Sequence, residues 1–277
     1  MKFFVTGGTG FIGSHFVRQA LAAGHKVVAS RRAASAVPAD LQGADWIEVP
    51  LDALQPGRFE GCDALVHFAA VGVSPQQATR KELTYWNVEV PLYLIETASL
   101  AGVPRAVLAG TFAEYGRSAD MYDLIPPDAP LLPTSNYASS KAACFVSAHG
   151  LAIELSMQLC YLRVFSAFGE GQFESNFWPA LKRAALSGQN FRMTGGEQIR
   201  DYIPVEQVAD AFIDAATRQT IRIGYPWVRN VGSGKPITMC EFAQTWWRRW
   251  QATGTLEVGA LPYRPNELMR FVPLITD

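Results

Sequence analysis

The sequence predicts an α/β protein: a doubly wound parallel sheet followed by a small, shortened C-terminal lobe. Three observations predict it. Short apolar runs alternate with stretches of helical periodicity from residue 2 to residue 165, the pattern of a parallel sheet whose crossovers are helices. A glycine-rich turn joins the first apolar run to the first helical stretch. After Phe165 the rhythm breaks into short pieces punctuated by Gly169, Gly171, Gly188, Gly195 and Gly196.

Taken in order, residues 2–6 (KFFVT) are a short apolar run bounded by glycines, hence a buried strand. The stretch 11–23 has helical periodicity and closes at Gly24, a glycine just past a helix C-terminus. Residues 25–30 (HKVVAS), 45–49 and 62–69 (CDALVHFA) read as the second, third and fourth strands. A helix is predicted over 85–101, a fifth strand over 105–109, a helix over 137–155 and a sixth strand over 158–165. Beyond the break, 207–217 and 238–250 read as helices and 229–231 as a short strand. Trp227, Trp246, Trp247 and Trp250 read as packing of a second lobe.

Of the 277 residues, 49% are hydrophobic and 18% charged, and 24 basic against 25 acidic side chains leave a formal charge of −1. That excludes a disordered chain and leaves no basic excess for a phosphate backbone, so no nucleic-acid partner is expected. Cys62, Cys144, Cys160 and Cys240 lie far apart, and His15, His25, His67 and His149 show no ligand spacing. No metal site or disulfide framework is therefore expected. No run approaches the ~18 consecutive apolar residues of a membrane span, and no leader pattern precedes the first strand. The expectation is a reduced, cytoplasmic protein with no membrane partner.

The turn Thr6-Gly7-Gly8-Thr9-Gly10-Phe11-Ile12-Gly13 sits between a predicted strand and a predicted helix. Glycines in that place allow a tight turn, close approach to a pyrophosphate and close helix–sheet packing, while free N–H groups at the helix start favour the anion. This marks a Rossmann dinucleotide site, with Gly7, Thr9, Gly10, Phe11, Ile12 and Gly13 around the phosphates. The second strand ends in Ser30-Arg31-Arg32 and lacks the acid that usually bonds an adenosine ribose. Guanidinium groups suit a 2′-phosphate, so Arg31 and Arg32 favour NADP(H), with NAD(H) possible; solvated surface charge is their plain alternative reading. Asp52 is placed to meet the adenine amino group. Ala69 and Ala70 are small enough for a dinucleotide to lie close, and His67 reads as fixing a loop.

Tyr137 and Lys141 are four residues apart at a helix start, which puts both side chains on one helix face. An ammonium beside a phenol favours phenolate, so the Tyr137 pKa is expected to fall. Such a tyrosine can donate a proton to a carbonyl oxygen or remove one from a hydroxyl. Thr111, near the end of the fifth strand, is placed to hold the same oxygen, and Lys141 to hold the nicotinamide ribose.

At this point the chain resembles the extended short-chain dehydrogenases/reductases of the nucleotide-sugar epimerase and dehydratase group. The resemblance rests on Gly7-x-x-Gly10-x-x-Gly13, His67-x-Ala69-Ala70, Asn87, Thr111…Tyr115-Gly116, Tyr137-x-x-x-Lys141, Leu162-Arg163-Val164-Phe165 with Phe168-Gly169, and Arg200-Asp201-Tyr202-Ile203-Pro204-Val205. It implies Thr111, Tyr137 and Lys141 as the catalytic trio, with Asn87, Phe165, Tyr137 and Lys141 also among the cofactor-binding residues. It implies substrate contacts from Ser166, Asn176, Arg200 and Arg264, and a homodimer formed by helices 86–101 and 137–155. The domains follow: 1–168 binds NADP(H), 201–223 returns to that domain, and 169–200 with 224–277 form a nucleotide-sugar lobe. Relatives of this kind usually continue past the Arg264 region with another helix, so the lobe is expected to be short.

Within the group, 4,6-dehydratases carry an Asp-Glu pair directly after the catalytic Thr. Here those positions are Phe112 and Ala113, and Glu114 stands one residue out of register. The resemblance of 165–172 and 261–267 to CDP-abequose-synthase-type enzymes, together with Arg31 and Arg32, favours an NADPH-dependent 4-ketoreductase in deoxysugar biosynthesis. It would act on a nucleotide-linked 4-keto-6-deoxy or 3,6-dideoxy hexose. The alternatives are an NAD(P)-dependent nucleotide-sugar 4-epimerase and a catalytically weak NADP(H)-binding regulatory protein.

Overall fold

The computed structural model describes residues 1–264 and 267–276. In chain order it runs through β1 (Lys2–Thr6), α1 (Phe11–Ala22), β2 (Lys26–Ser30), β3 (Asp45–Ile47), β4 (Ala64–His67), α2 (Arg80–Thr84), α3 (Val90–Leu100) and β5 (Arg105–Thr111). There follow α4 (Asn136–Glu154), β6 (Gln158–Val164), β7 (Ser166–Phe168), α5 (Phe177–Leu186), β8 (Phe191–Arg192), β9 (Ile199–Pro204) and α6 (Val205–Thr217). The last elements are β10 (Trp227–Val231), β11 (Pro236–Thr238), α7 (Met239–Arg249), β12 (Leu256–Glu257) and β13 (Arg270–Phe271).

Seven strands form one parallel sheet in the order β10-β6-β5-β4-β1-β2-β3. Its strands read as continuous apolar runs because both faces are covered. On one face, α1 and α6 bury Phe16, Val17, Ala20, Val208 and Phe212 against Phe3, Val5 and Val66. On the other, α3 and α4 bury Leu94, Ile95, Cys144 and Ala148 against Phe4, Leu65 and Leu108. The order reverses direction between β1 and β4, which opens a crevice at their carboxyl ends. Helix α1 ends as its sequence requires: Gly24 takes φ +79°, its N–H reaches the Leu21 carbonyl, and the His25 N–H reaches that of Ala20.

Three expectations change. Residues 229–231, assigned from sequence to the second lobe, belong to β10, the edge strand of the main sheet; it pairs with β6 from Trp227↔Cys160 to Val231↔Val164. The fifth strand extends to Thr111 because β6 pairs with it along its whole length. The helix expected over 85–101 starts at Arg80, under a capping box between Thr79 and Glu82, and passes through a π turn at Tyr85–Glu89. The T-x-x-E signal was present in the sequence; the π turn has no local signature.

The second lobe is a small sheet centred on β9, which pairs β7, β11 and β13, beside a β8–β12 pair. Helices α5 and α7 close it with Leu181, Ala184, Ala243 and Trp247, flanked by Trp246 and Trp250. Trp227 departs from the expected lobe packing: it lies on β10, with the Arg218 and Arg229 guanidinium groups each 4.7 Å from its ring. Among the described residues, no helix is long and apolar enough to cross a membrane, and no cluster of His, Cys, Asp or Glu is arranged to hold a metal.

Arg105, 6% exposed, ties α6 to the sheet. Its Nη1 donates to the carbonyls of Ala215 and Ala216 at 3.2 and 2.6 Å, its Nη2 to that of Arg218 at 2.7 Å, and its Nε to Gln158 at 2.9 Å. Those carbonyls lie at the end of α6 and have no partner within the helix. Arg105→Met leaves the Ala216 and Arg218 carbonyls without this donor and the Ala215 carbonyl with only the Cys160 thiol, so a loss of about 3 kcal/mol is expected. Urea denaturation reads this as a lower midpoint at unchanged slope; a loss under ~1 kcal/mol, the size of an ordinary surface substitution, contradicts it.

Candidate active site

The glycine turn lies in the crevice between β1 and β4, and its geometry leaves no room for side chains. A Cβ on Gly13 would stand 2.2 Å from the Gly7 carbonyl oxygen, and one on Gly7, at φ +70°, 2.7 Å from the Ala69 nitrogen. The turn is thus packed against the Ala69-Ala70 wall at the end of β4. No side chain caps α1, whose cap residue is Gly10, so the N–H groups of Phe11, Ile12 and Gly13 are left for an anion, with Thr9 half-buried beside them. At the end of β2 the buried Ser30 hydroxyl has no partner among the described residues. Lys141, 3% exposed, forms no ion pair among them either. An anionic cradle, an unanswered hydroxyl and an unpaired buried ammonium fit a bound dinucleotide.

Other expected cofactor residues sit differently. The Arg31 guanidinium is taken by Glu48 at 2.5 Å and by the carbonyls of Arg32, Ala33 and Ser35. The acid missing from the end of β2 is therefore supplied just past β3, and Arg31 is not a free cation awaiting a 2′-phosphate. Arg32 is exposed. Asp52 is exposed and accepts the Tyr85 hydroxyl at 2.6 Å. Asn87, in the π turn, is fully buried; its amide accepts the Val71 N–H and donates to the Val71 carbonyl and the Ser140 hydroxyl. It therefore braces the cleft wall against α4 instead of facing the cleft. His67 shares a 2.7 Å hydrogen bond with Thr6, as expected of a residue that fixes a loop.

Thr111, Tyr137 and Lys141 come together. The half-buried Tyr137 phenol lies near enough to the Thr111 side chain for that side chain to act on its ionisation, and Ser135 caps α4 through the Ala138 N–H. The expected fall in the Tyr137 pKa does not occur in the free protein. Burial first, and then the Glu114 carboxylate, push the phenol well above its ordinary value, and the Thr111 side chain only partly opposes them. The Tyr-x-x-x-Lys spacing carries no information about either raising cause.

Sequence reading also missed the group beneath this trio. Glu114 is fully buried and forms a 2.7 Å ion pair with Arg163, itself 1% exposed. Its other oxygen accepts the Thr111 N–H at 2.8 Å and the Tyr161 hydroxyl at 2.9 Å. Arg163 donates on to Tyr115 and the Pro127 carbonyl, and Tyr115 to Asn230 at 2.6 Å. Phe112, at a dehydratase acid position, packs on Phe165 and Phe271. Phe165 is buried in this aromatic cluster.

In the lobe, Ser166 starts β7 beside Tyr202 of β9, and Asn176 stands half-buried at the start of α5. Arg200 is 9% exposed and donates to Glu267 at 3.3 Å and to the Leu268 carbonyl at 2.7 Å. Arg264 is exposed; its neighbours Pro265 and Asn266, part of the 261–267 segment, lie outside the described residues. Buried polar atoms of Trp178, Thr194, Gln198 and Tyr202 have no partner among the described residues. Unanswered polar atoms of this kind identify positions that sequence reasoning passed over.

A model of the NAD dependent epimerase/dehydratase family matches residues 3–232. The UDP-glucose 4-epimerase of Corynebacterium glutamicum is 30% identical over 262 residues, covering 84% of this chain and 76% of that protein. The UDP-N-acetylglucosamine 4-epimerase from Methanobrevibacter ruminantium M1, solved with UDP-N-acetylmuramic acid, superposes with a TM-score of 0.87 at 25% identity, over 99% of this chain and 89% of that one. MoeE5, solved with UDP-glucose and NAD, superposes with a TM-score of 0.82 at 27% identity, over 99% and 90% of the two chains. The likeness expected to abequose-synthase-type reductases is not confirmed by these relatives.

His67 is 2% exposed; burial, aided by the Lys141 charge, pushes its pKa from 6.5 down to about 3. The unfolded chain therefore takes up this proton first as the pH falls. Stability from this group is full above pH 6.5 and declines between 6.5 and about 3, by up to ~1.4 kcal/mol per pH unit. His67→Gln is expected to flatten that part of the stability–pH curve measured by urea denaturation. Equal slopes in both proteins contradict the assignment.

Proposed function

This chain belongs to the NAD dependent epimerase/dehydratase family, and we propose that it is an NAD-dependent 4-epimerase of a UDP-linked hexose. The observation that carries the proposal is the placing of Tyr137 near Thr111, one helical turn from the buried Lys141, with apolar Phe112 and Ala113 where a dehydratase places two acids. One acid–base group on one oxygen suffices to oxidise and re-reduce a carbinol, but not to eliminate water. The epimerases among the relatives support this reading over the ketoreductase, and the Arg31–Glu48 pair removes the main argument for NADP(H).

The bound nicotinamide supplies a hydride acceptor and later a hydride donor. Tyr137, as phenolate, takes the proton of the C4 hydroxyl, and Thr111 holds the same oxygen. Lys141 would favour the phenolate by its charge and would hold the nicotinamide ribose. The 4-keto sugar turns over in the cleft, and Tyr137 returns the proton to its oxygen when hydride arrives on the opposite face. Arg200, Asn176, Ser166 and Arg264 are assigned to the nucleotide diphosphate and sugar; Arg200 is released from Glu267 to meet the diphosphate. Exposed Leu100 on α3, and Val146 and Ile153 on α4, support a homodimer through those helices.

With UDP-glucose and NAD, the protein is expected to form UDP-galactose, followed by coupled oxidation of the galactose unit. Tyr137→Phe is expected to lower kcat by about 10²–10⁴-fold with little change in KM. Consumption of NADPH by a 4-keto sugar nucleotide, without any isomerisation, would overturn the epimerase in favour of the reductase.

A further inference from the structure

Two backbone points determine how the strand carrying Thr111 faces the helix carrying Tyr137 and Lys141. One is the Thr111 N–H, which donates to Glu114 at 2.8 Å. The other is the Lys141 carbonyl, which lies 3.0 Å from the Tyr161 hydroxyl. That hydroxyl also stands 2.9 Å from the same Glu114 oxygen. The single Tyr161 proton is shared between these two acceptors, so carboxylate and hydroxyl link strand to helix through a three-centre bond; Glu114 and Tyr161 are both fully buried.

The bridge is tightly enclosed. A Cβ on Gly110 would lie 2.3 Å from the Tyr161 ring and 2.8 Å from the Glu114 carboxylate, so only glycine fits beside them. Arg163 holds the second Glu114 oxygen at 2.7 Å and is itself stacked over the Phe145 ring at 4.4 Å. Glu114 can neither rotate away nor be replaced in its contacts by solvent.

We propose that Glu114 is a positioning residue for the epimerase reaction, its carboxylate and the Tyr161 hydroxyl together fixing Thr111 against the Tyr137–Lys141 helix. This deepens the epimerase reading and rests on it. The groups that act on Tyr137 are Thr111, which ends β5, and Glu114, in the turn that follows it; Lys141 lies one turn along its own helix. Glu114 is the acidic member of that set. Its carboxylate adds to burial in raising the Tyr137 pKa.

Two variants test it. In Glu114→Gln, phenolate absorbance is titrated against a background carrying Tyr137→Phe, with near-ultraviolet circular dichroism to confirm folding. Tyr137 is expected to ionise about one pH unit or more below the wild type, about tenfold more phenolate at a given pH. A wild-type phenol that stays silent up to alkaline unfolding while the variant titrates counts the same way. In Tyr161→Phe, which keeps the ion pair, kcat is expected to fall at least ~10-fold with KM for the nucleotide sugar nearly unchanged. A folded Glu114→Gln that ionises with the wild type, or a Tyr161→Phe with wild-type kcat, overturns the proposal. The titration needs no substrate, so an inactive wild type would refute the epimerase reading without deciding the role of Glu114.

Discussion

The Glu114–Arg163 ion pair is the constraint on which the rest of the site depends. Taking two charges out of water costs several kcal/mol per ion, and attraction offsets this only where the remaining donors and acceptors are answered. Here both Glu114 oxygens are answered, and so are the Nε and Nη1 of Arg163, while its buried Nη2 has no partner among the described residues. Glu114 holds the end of β5, Tyr161 and Arg163, while Arg163 reaches Tyr115 and the Pro127 carbonyl. Tyr115 passes the chain of bonds to Asn230 on β10, whose amide holds the Ile125 carbonyl. The same loop pairs with Val272 and Leu274 of the C-terminal segment. One buried pair therefore joins the catalytic strand, the sheet edge, the loop after β5 and the chain's last described residues.

The sheet order places that junction beside the cofactor crevice. Because the strand order turns back on itself between β1 and β4, a gap opens at their carboxyl ends beside the glycine turn, which is packed against the Ala69-Ala70 wall. β5 and β6 lie on the far side of β4, so Thr111 and the Tyr137 helix approach the same gap from the side. β7 and β9 then carry the chain into the second lobe directly from the end of β6. The crevice, the acid–base group and the lobe are consecutive consequences of one strand order.

What the sequence made legible is what it encodes locally. Continuous apolar runs, helical periodicity and a glycine turn between them are patterns within a dozen residues, and they located every strand of the main sheet, though they assigned the last to the wrong lobe. That last strand, β10, is short and carries Arg229 and Asn230 among its apolar residues, so its place was decided by pairing with β6 and not by its own pattern. Tyr137 and Lys141 were legible because helix geometry joins them at four residues. The Glu114–Arg163 pair spans 49 residues and Arg31–Glu48 joins two neighbouring strands; neither separation is a multiple of any local period. The Tyr137 pKa was misjudged for the same reason: the neighbouring lysine is visible in the sequence, but burial and a carboxylate from another strand are not.

That misjudgement bears on the chemistry. An epimerase must take a proton from an oxygen and give one back to it, so its acid–base group works best when neither state is greatly favoured in the loaded cleft. A phenol already lowered by Lys141 in the free protein would be drawn further down by the positive charge of an oxidised nicotinamide, and would then give the proton back reluctantly. Raised by burial and Glu114, it begins high and falls toward balance as that charge arrives. Glu114, locked in an ion pair, adds to burial in raising the Tyr137 pKa, while Lys141, one turn along the helix, has no ion-pair partner among the described residues.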